Sequence, residues 1–284
     1  MNDGQLDRVA DYYERNTRRF LRFGRGAATA TIHRRLWMPG VADPHQALRS
    51  IHLQIAAWLD AALAASGRHA LVLDLGCGVG GPAIDVAAQT NSDVVGLTLS
   101  RLQARQAHVR TRSDPHSPQF IVADFHALPL RCQAAGAYAI ESFAHAADPG
   151  RFFAEARACL SPGGRLIVVD DFLAEGKDAA GHAGFWDRDR WIRRFVEGWR
   201  LGSLMTAFEA ANLAAAAGLN LVQVEDLTRW IRLPPGWLLA LLRTAAVLRL
   251  PSSYWESQAG GVALQVCEQR GWVRYQGLVF DVVS

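Results

Sequence analysis

At 284 residues, half of them hydrophobic, the chain can bury a substantial core and suits one elaborated α/β unit better than two independent ones. A net charge of +3 and a pI near 8.8 come without any run of like charges, which argues against a phosphate-backbone partner and so against nucleic acid. Four cysteines, Cys77, Cys132, Cys159 and Cys267, form no C-x-x-C pair and are too few for a disulfide scaffold; the opening Met-Asn-Asp-Gly lacks the order of a secretory leader, so a cytoplasmic protein is expected.

Residues 5–23 read as a helix with paired tyrosines, Tyr12 and Tyr13, followed by a Gly/Ala/Thr loop and the segment Thr31-Ile-His-Arg-Arg-Leu-Trp-Met-Pro39. A second helix, 44–65, leads to Ser66-Gly67. Strands and helices then alternate: strand 70–75, helix from about 80, strand 93–97, helix 100–112, strands 119–123 and 137–140, helix 149–159, strand 165–170. Such alternation implies a parallel sheet with helices on both faces. After Asp171 a tryptophan-rich helical stretch runs to about 217, then a strand at 219–226, mostly helix from 230 to 270, and a final strand at 272–283. The longest apolar element, Pro235–Pro251, is interrupted by Arg243 and Arg249 and is too short to cross a bilayer, so no membrane span is expected and the segment reads as a buried or interfacial helix. Its alternative is a lid over an apolar pocket. Without a repeat or low-complexity linker, residues 1–284 read as one domain: a helical arm (1–66), a cofactor-binding core (67–175), and a helical cap with closing strands (176–284).

The stretch Leu71-Val-Leu-Asp-Leu-Gly-Cys-Gly-Val-Gly-Gly81 is an apolar strand that ends in an acid and then in glycines that only a closely approaching ligand requires. The glycines fit S-adenosylmethionine (SAM) or a dinucleotide. A dinucleotide site needs an acid at the end of the second strand, where this chain has Thr98, and Asp74 beside the turn suits a cationic ligand better than a pyrophosphate. SAM is therefore the expected cofactor.

Downstream, Phe120-Ile-Val-Ala-Asp-Phe-His-Ala-Leu-Pro129 and Leu160-Ser-Pro-Gly-Gly-Arg-Leu-Ile-Val-Val-Asp170 complete an order that resembles the class I SAM-dependent methyltransferases over residues of about 67 to 175. The resemblance implies a Rossmann-like sheet with an antiparallel last strand. It assigns Asp74, Gly76, Gly78 and Gly80 to the methionine end of SAM, Thr98 and Gln103 to the ribose side, and Asp124 with Phe125 to the adenine. Taken singly, Asp74 and Asp124 also read as ordinary strand-end caps. Val-Val-Gly-Leu-Thr-Leu-Ser-Arg-Leu-Gln103 resembles sterol, tocopherol, prenyl-diphosphate and cyclopropane-fatty-acid enzymes, which methylate carbon. The succession Tyr12-Tyr13-Glu-Arg-Asn-Thr17, Phe20, Gly24, His33 and Trp37 looks like the arm that sterol-type enzymes fold over SAM, with Glu14 in place of aspartate and a longer loop before His33.

Ala139-Ile-Glu-Ser-Phe-Ala-His-Ala-Ala-Asp148 leaves the fourth strand at the edge where open α/β sheets place ligands, and it resembles the acid-bearing segment of sterol and geranyl-diphosphate C-methyltransferases. An acid belongs there because an alkene that takes a methyl becomes a carbocation, which a carboxylate stabilises and later deprotonates. Glu141 is thus the leading catalytic candidate, with His145, Tyr12 and His33 beside it; a plain helix-capping or surface acid is the other reading of Glu141, a helix packing its aromatic face on the core that of Tyr12 and Tyr13, and for His145 a backbone-bonded histidine reads equally well. For substrate contacts the candidates are Tyr13 and the cap aromatics Trp186, Trp191, Phe195 and Trp199, the last three at i, i+4, i+8, a spacing that also describes core. Trp230 and Trp237 are candidates to extend that wall. Arg190 and Arg194, one turn apart, would suit a diphosphate, or else form a solvated helix face.

The expectation is a SAM-dependent C-methyltransferase of secondary metabolism acting on an alkene carbon of an apolar isoprenoid: a prenyl diphosphate, terpenoid or sterol-like molecule. No metal site is evident, although a diphosphate would bring Mg²⁺. The alternative is an O- or N-methyltransferase of a small natural product with His33 or His145 as base; a SAM binder without catalysis would not need Tyr12, His33 and Glu141 together. Homo-oligomerisation is left open.

Overall fold

The computed structural model describes residues 3–23, 28–66, 69–111, 117–130, 132–175, 185–246 and 252–283. Helices α1 (Asp3–Phe23) and α2 (Pro44–Ser66) precede the alternating core: β1 (Leu71–Leu75), α3 (Gly81–Thr90), β2 (Asp93–Thr98), α4 (Arg101–Thr111), β3 (Gln119–Val122), β4 (Ala134–Ile140), α5 (Pro149–Cys159) and β5 (Leu160–Leu173). Then come α6 (Phe185–Trp199), α7 (Ala207–Ala216), β6 (Leu219–Asp226), α8 (Gly236–Ala246), α9 (Ser253–Gln269) and β7 (Val273–Val282).

The strands form one seven-stranded sheet in the order β3-β2-β1-β4-β5-β7-β6. Strands β1 to β5 pair in parallel, and β7 inserts antiparallel between β5 and β6, so the expected parallel sheet and antiparallel last strand are both present. Strand order reverses between β1 and β4, and the carboxyl ends of these neighbours open a crevice there. β1 ends just before the glycines and β4 just before Glu141.

Alternate residues of the strands feed opposite layers. Leu73, Leu75, Leu166 and Val168 join Phe143, Phe152, Phe153, Phe172 and Phe280 on one face, while Val72, Ile167 and Val169 meet Ile51, Ile55 and Leu59 of α2 on the other. Each fully buried side chain of this kind contributes roughly 1.5–3 kcal/mol. A third cluster holds the cap together: Trp191, Phe195, Leu239, Leu264 and Trp272 pack between α6, α8, α9 and the start of β7. Helices α6 and α9 cross backbone to backbone, since a Cβ on Gly198 would lie 2.6 Å from the Gly260 Cα.

Two strands outrun the sequence pattern. β4 begins at Ala134, where Ala-Ala-Gly has little strand preference but pairs with β5 at Ala134 and with both β1 and β5 at Gly136. β5 continues to Leu173 because β7 pairs with it throughout, including Asp171 opposite Tyr275. No described helix is long and apolar enough to cross a membrane.

Candidate active site

A cavity of about 310 Å³ opens at the strand-order reversal, within the range of small-molecule sites. Arm, sheet edge and cap all contribute to its wall: Tyr12, Tyr13 and His33; Asp74, Gly76, Gly78, Thr98, Gln103, Phe125, Glu141 and His145; Trp199, Ser257 and Gln258.

The glycine turn divides its labour. Gly76, Gly78 and Gly80 all hold positive φ, which only glycine adopts freely. A side chain at Gly78 would enter open space, with Ile32 Cδ1 the nearest atom at 4.0 Å, so this is the face left free for a ligand. Gly80, expected at the methionine end of the cofactor, does not line the cavity: its missing side chain makes room for Phe120, whose Cζ would lie 2.7 Å from a Cβ. Gly81 lets the arm close, because a Cβ there would collide with the Thr29 carbonyl; its N–H donates to the Ala30 carbonyl at 3.0 Å.

Asp74, directly opposite Tyr138 on β4, is 2% exposed, and its Oδ2 has no hydrogen-bond partner among the described residues. Burial pushes the carboxyl up to about 7, with the Tyr138 hydroxyl offsetting only part of this. A buried carboxyl in a cavity wall with one oxygen unpartnered lacks a cation, and the ammonium of SAM is one. The residues present therefore fit the expected cofactor.

At the end of β2, the Thr98 hydroxyl donates to Gln103 Oε1 at 2.7 Å and Gln103 Nε2 donates to Thr17 Oγ1 at 3.2 Å. Glu14 reinforces this attachment of α1, its Oε1 accepting from the Ser100 hydroxyl and the Leu102 N–H, both at 2.9 Å. Glu14 thus fastens the arm to the start of α4. Asp124 stands apart from the expectation: it does not line the cavity, and its Oδ1 accepts from the His126 N–H at 2.9 Å and meets His126 Nδ1 at 2.8 Å. Its half-burial would raise the carboxyl, but the His126 bonds hold it low. Phe125 beside it does line the wall.

Glu141 follows β4 with φ 48°, a left-handed conformation that costs a non-glycine residue on the order of 1–3 kcal/mol and that surrounding contacts must enforce. Arg34 enforces it: the Arg34 N–H and Nε donate to Glu141 Oε1 at 2.9 and 3.2 Å. The same guanidinium pairs with Asp171 at 2.7 Å and Glu268 at 2.5 Å and lies over the Tyr275 ring at 4.1 Å. One buried cation therefore serves three carboxylates. Burial raises Asp171 and Glu268, with Arg34 opposing, and lifts neighbouring Asp170 to about 7.

Neither histidine presents a free ring nitrogen. His33 Nδ1 lies 2.9 Å from the Arg34 carbonyl and its Nε2 2.6 Å from His52 Nε2; burial draws it down to about 4. His33 lines the cavity as expected of a candidate base, but both of its ring nitrogens are engaged. His145 Nδ1 meets the Arg200 carbonyl at 3.3 Å and its Nε2 the Tyr13 hydroxyl at 2.9 Å. Both tyrosines line the cavity: Tyr13 pairs with His145, while Tyr12 donates to Ser257 at 2.9 Å, burial pushing its hydroxyl up to about 12.

Of the cap aromatics, Trp199 lines the cavity, with Nε1 donating to the Ser257 carbonyl at 3.2 Å. Trp191 and Phe195 are buried in the cap core instead, and Trp191 Nε1 donates to Asp187 at 3.1 Å. The Trp186 side chain lies outside the described residues. Trp230 packs on the α2 layer, and Trp237 is exposed. Arg190 and Arg194 do not line the cavity, which has no arginine or lysine in its wall among the described residues. Sequence reading missed Arg34, His52, Asp85, Glu268 and Ser257; only Arg34, next to His33, carried a local signal.

A methyltransferase-domain family model matches residues 73–168. Methyltransferase GfsG of Streptomyces halstedii is 30% identical over 240 residues, 82% of this chain and 80% of that one. A sterol 24-C-methyltransferase of Gibberella zeae is 30% identical over 164 residues, 55% of this chain but 41% of its own length, and O-methyltransferases occur among the other relatives. Geranyl diphosphate C-methyltransferase from Streptomyces coelicolor A3(2), solved with Mg²⁺, geranyl diphosphate and S-adenosyl-L-homocysteine, superposes with a TM-score of 0.71 at 18% identity over 98% of both chains, a likeness of fold.

Proposed function

The chain belongs to the class I SAM-dependent methyltransferases, and from that premise we propose that it methylates an alkene carbon of an apolar, isoprenoid-like molecule carrying no diphosphate. Charge carries this reading. Asp74, Glu141, Asp170 and Asp171 line the cavity, and no described arginine or lysine does. Such a wall favours a cation and disfavours a phosphate, and with it the Mg²⁺ that a diphosphate would bring.

In this reading Asp74 meets the ammonium of SAM, Gly78 leaves room for its methionine end, and Thr98, Gln103 and Phe125 border its adenosine. When bound, SAM supplies an electrophilic methyl group. Once an alkene carbon has taken that methyl, the neighbouring carbon is cationic. Glu141 stabilises the charge and then takes the proton of an adjacent C–H, whose electrons close the new double bond. Arg34 keeps the carboxylate in place through Oε1, and Oε2 has no hydrogen-bond partner among the described residues. Trp199 adds an aromatic face, worth roughly 0.5–2 kcal/mol beside a cation. Arm, core and cap work as one catalytic unit in this scheme, since each supplies part of the wall.

The Tyr13–His145 pair supports a second reading, O-methylation: a hydroxyl acceptor would pass its proton to Tyr13 Oη as Tyr13 gives its own to His145 Nε2. Incubation with methyl-labelled SAM and a panel of prenyl diphosphates, their alcohols, terpenoid hydrocarbons, sterols and phenols separates the two by mass spectrometry. A new carbon–methyl bond on a diphosphate-free alkene is expected. A methyl ether would favour the second reading, and preferred turnover of a diphosphate would overturn the charge argument.

A further inference from the structure

Behind the cavity a chain of polar groups runs from the arm through two helices to the surface. His33 Nε2 lies 2.6 Å from His52 Nε2 on α2, and His52 Nδ1 lies 2.7 Å from Asp85 Oδ2 on α3. Asp85 takes a two-pronged grip from Arg49, Nε at 2.9 Å and Nη2 at 2.6 Å. His52 is wholly buried, and Arg49 is about half exposed.

Counting protons along this chain gives a definite result. A carbonyl only accepts, so His33 Nδ1, against the Arg34 carbonyl, carries a proton. Asp85 is held below its ordinary value by His52 and Arg49 despite partial burial, so it is a carboxylate, and His52 Nδ1 facing it carries a proton too. The short contact between the two Nε2 atoms needs a third. Two neutral imidazoles carry two protons between them. The chain is therefore complete only when the pair holds one more, a single positive charge shared across the contact and balanced by Asp85.

We propose that His52 and Asp85 are positioning residues of this site, holding one proton shared between two imidazoles and, through it, the arm segment that presents Arg34 to Glu141. His33 grips the Arg34 carbonyl, while the Arg34 N–H on the other side of the same Cα donates to Glu141 at 2.9 Å. Loss of the shared proton leaves one of the three contacts lone pair to lone pair, and that contact must open. Burial favours this loss, drawing both histidines down, and His52 beside His33, Arg34 and Arg49 act in the same sense; Asp85 opposes it at His52, as Glu141 and the Arg34 carbonyl do at His33. The balance puts a protonation step directly behind the catalytic candidate. The inference rests on the reading of Glu141 given above.

The test is a pH titration of the full chain, labelled with ¹⁵N in its histidine rings and followed by NMR, beside kcat profiles of the same proteins. His33 and His52 should shift together in one step below the ordinary histidine value, because burial draws both down, with kcat falling as pH rises through it. Asp85→Asn removes the balancing charge and should move both the step and the kcat limb to lower pH by about one unit or more. His52→Gln keeps a neutral amide donor towards His33 and should abolish the step while retaining more activity than His52→Leu, for which a loss of kcat on the order of tenfold or more is expected with SAM affinity little changed. Separate titration of the two rings, or an Asp85→Asn protein with step and limb unmoved, would overturn the proposal, as would His52→Leu lowering only thermal stability. The NMR step needs no substrate, so failure of the methyl-transfer reading shows itself separately, as absent turnover beside an intact titration.

Discussion

The Tyr13 hydroxyl lies 2.9 Å from His145 Nε2, and the opposite nitrogen of that ring faces the Arg200 carbonyl. The carbonyl requires a proton on Nδ1, so Nε2 accepts and Tyr13 donates. The oxygen that Tyr13 turns towards the cavity is consequently electron-rich. Tyr13→Phe and His145→Gln should each lower kcat, and because the residues act as one unit the double variant should lose little more than the worse single one. A double-mutant cycle on kcat, with SAM affinity as control, should give a coupling of roughly 0.5–3 kcal/mol; additive losses would mean the two act independently.

Asp74 yields a prediction with a sign in pH. Its folded-state value, about 7, lies above that of an unfolded aspartate, so protonation favours the fold: the contribution is intact below an unfolded value of about 4 and is lost as pH rises through about 7. A bound ammonium reverses the preference by pairing with the carboxylate. Binding of SAM should therefore release a proton below neutral pH, and affinity should rise with pH up to about 7. Calorimetry in buffers of different ionisation enthalpy measures the release directly. Asp74→Asn should abolish it and weaken binding by on the order of tenfold to a hundredfold, as expected for a hydrogen bond to a charged group.

Glu14 fastens the arm rather than touching the chemistry. By accepting from the Ser100 hydroxyl and the Leu102 N–H, its carboxylate occupies donors at the start of α4, and a helix cap of this kind is worth about 1 kcal/mol. Glu14→Ala should loosen α1 from the core, raising the Kd for SAM several-fold and exposing α1 to limited proteolysis. Asp74→Asn should leave that proteolysis pattern as it is in the parent protein. Comparison of the two cleavage patterns in the absence of SAM distinguishes loss of the arm from loss of the charge.

The cavity wall around the glycine turn was legible because its residues are close in sequence: Asp74 and Gly78 share one turn, and Thr98 and Gln103 share the next. Glu141 was legible for a similar reason, since the end of a strand at the sheet's reversal is a location that alternation alone identifies. The groups around Glu141 were not. Arg34, Asp171 and Glu268 meet from three distant segments, and a charged residue such as Glu268 on α9 reads in sequence as solvated surface. Tyr12 and Tyr13 both line the cavity, and since neighbours on a helix point about 100° apart, their separate partners, Ser257 and His145, lie beyond the reach of sequence. Trp191 and Phe195 pack in the cap core, which their spacing could not tell from a pocket wall.

The sharpest prediction concerns Glu141. If its carboxylate carries the developing cation and removes the final proton, Glu141→Gln should keep the fold and the SAM affinity, because the amide preserves the shape and can still accept from the Arg34 N–H. It should nevertheless lose kcat by on the order of a hundredfold or more, since the negative charge acts mainly where positive charge develops. Arg34→Met supplies the contrast. It strips the cation from three carboxylates at once, which for a buried ion pair costs roughly 3–5 kcal/mol of stability, so its defect should appear as a fall in Tm as well as in rate. Glu141→Gln should leave Tm nearly unchanged. Single-turnover rates and thermal unfolding of the two variants therefore separate charge at the reacting centre from integrity of the cluster; a Glu141→Gln protein with near-normal single-turnover rate would remove Glu141 from the chemistry and leave the Tyr13–His145 pair to carry it.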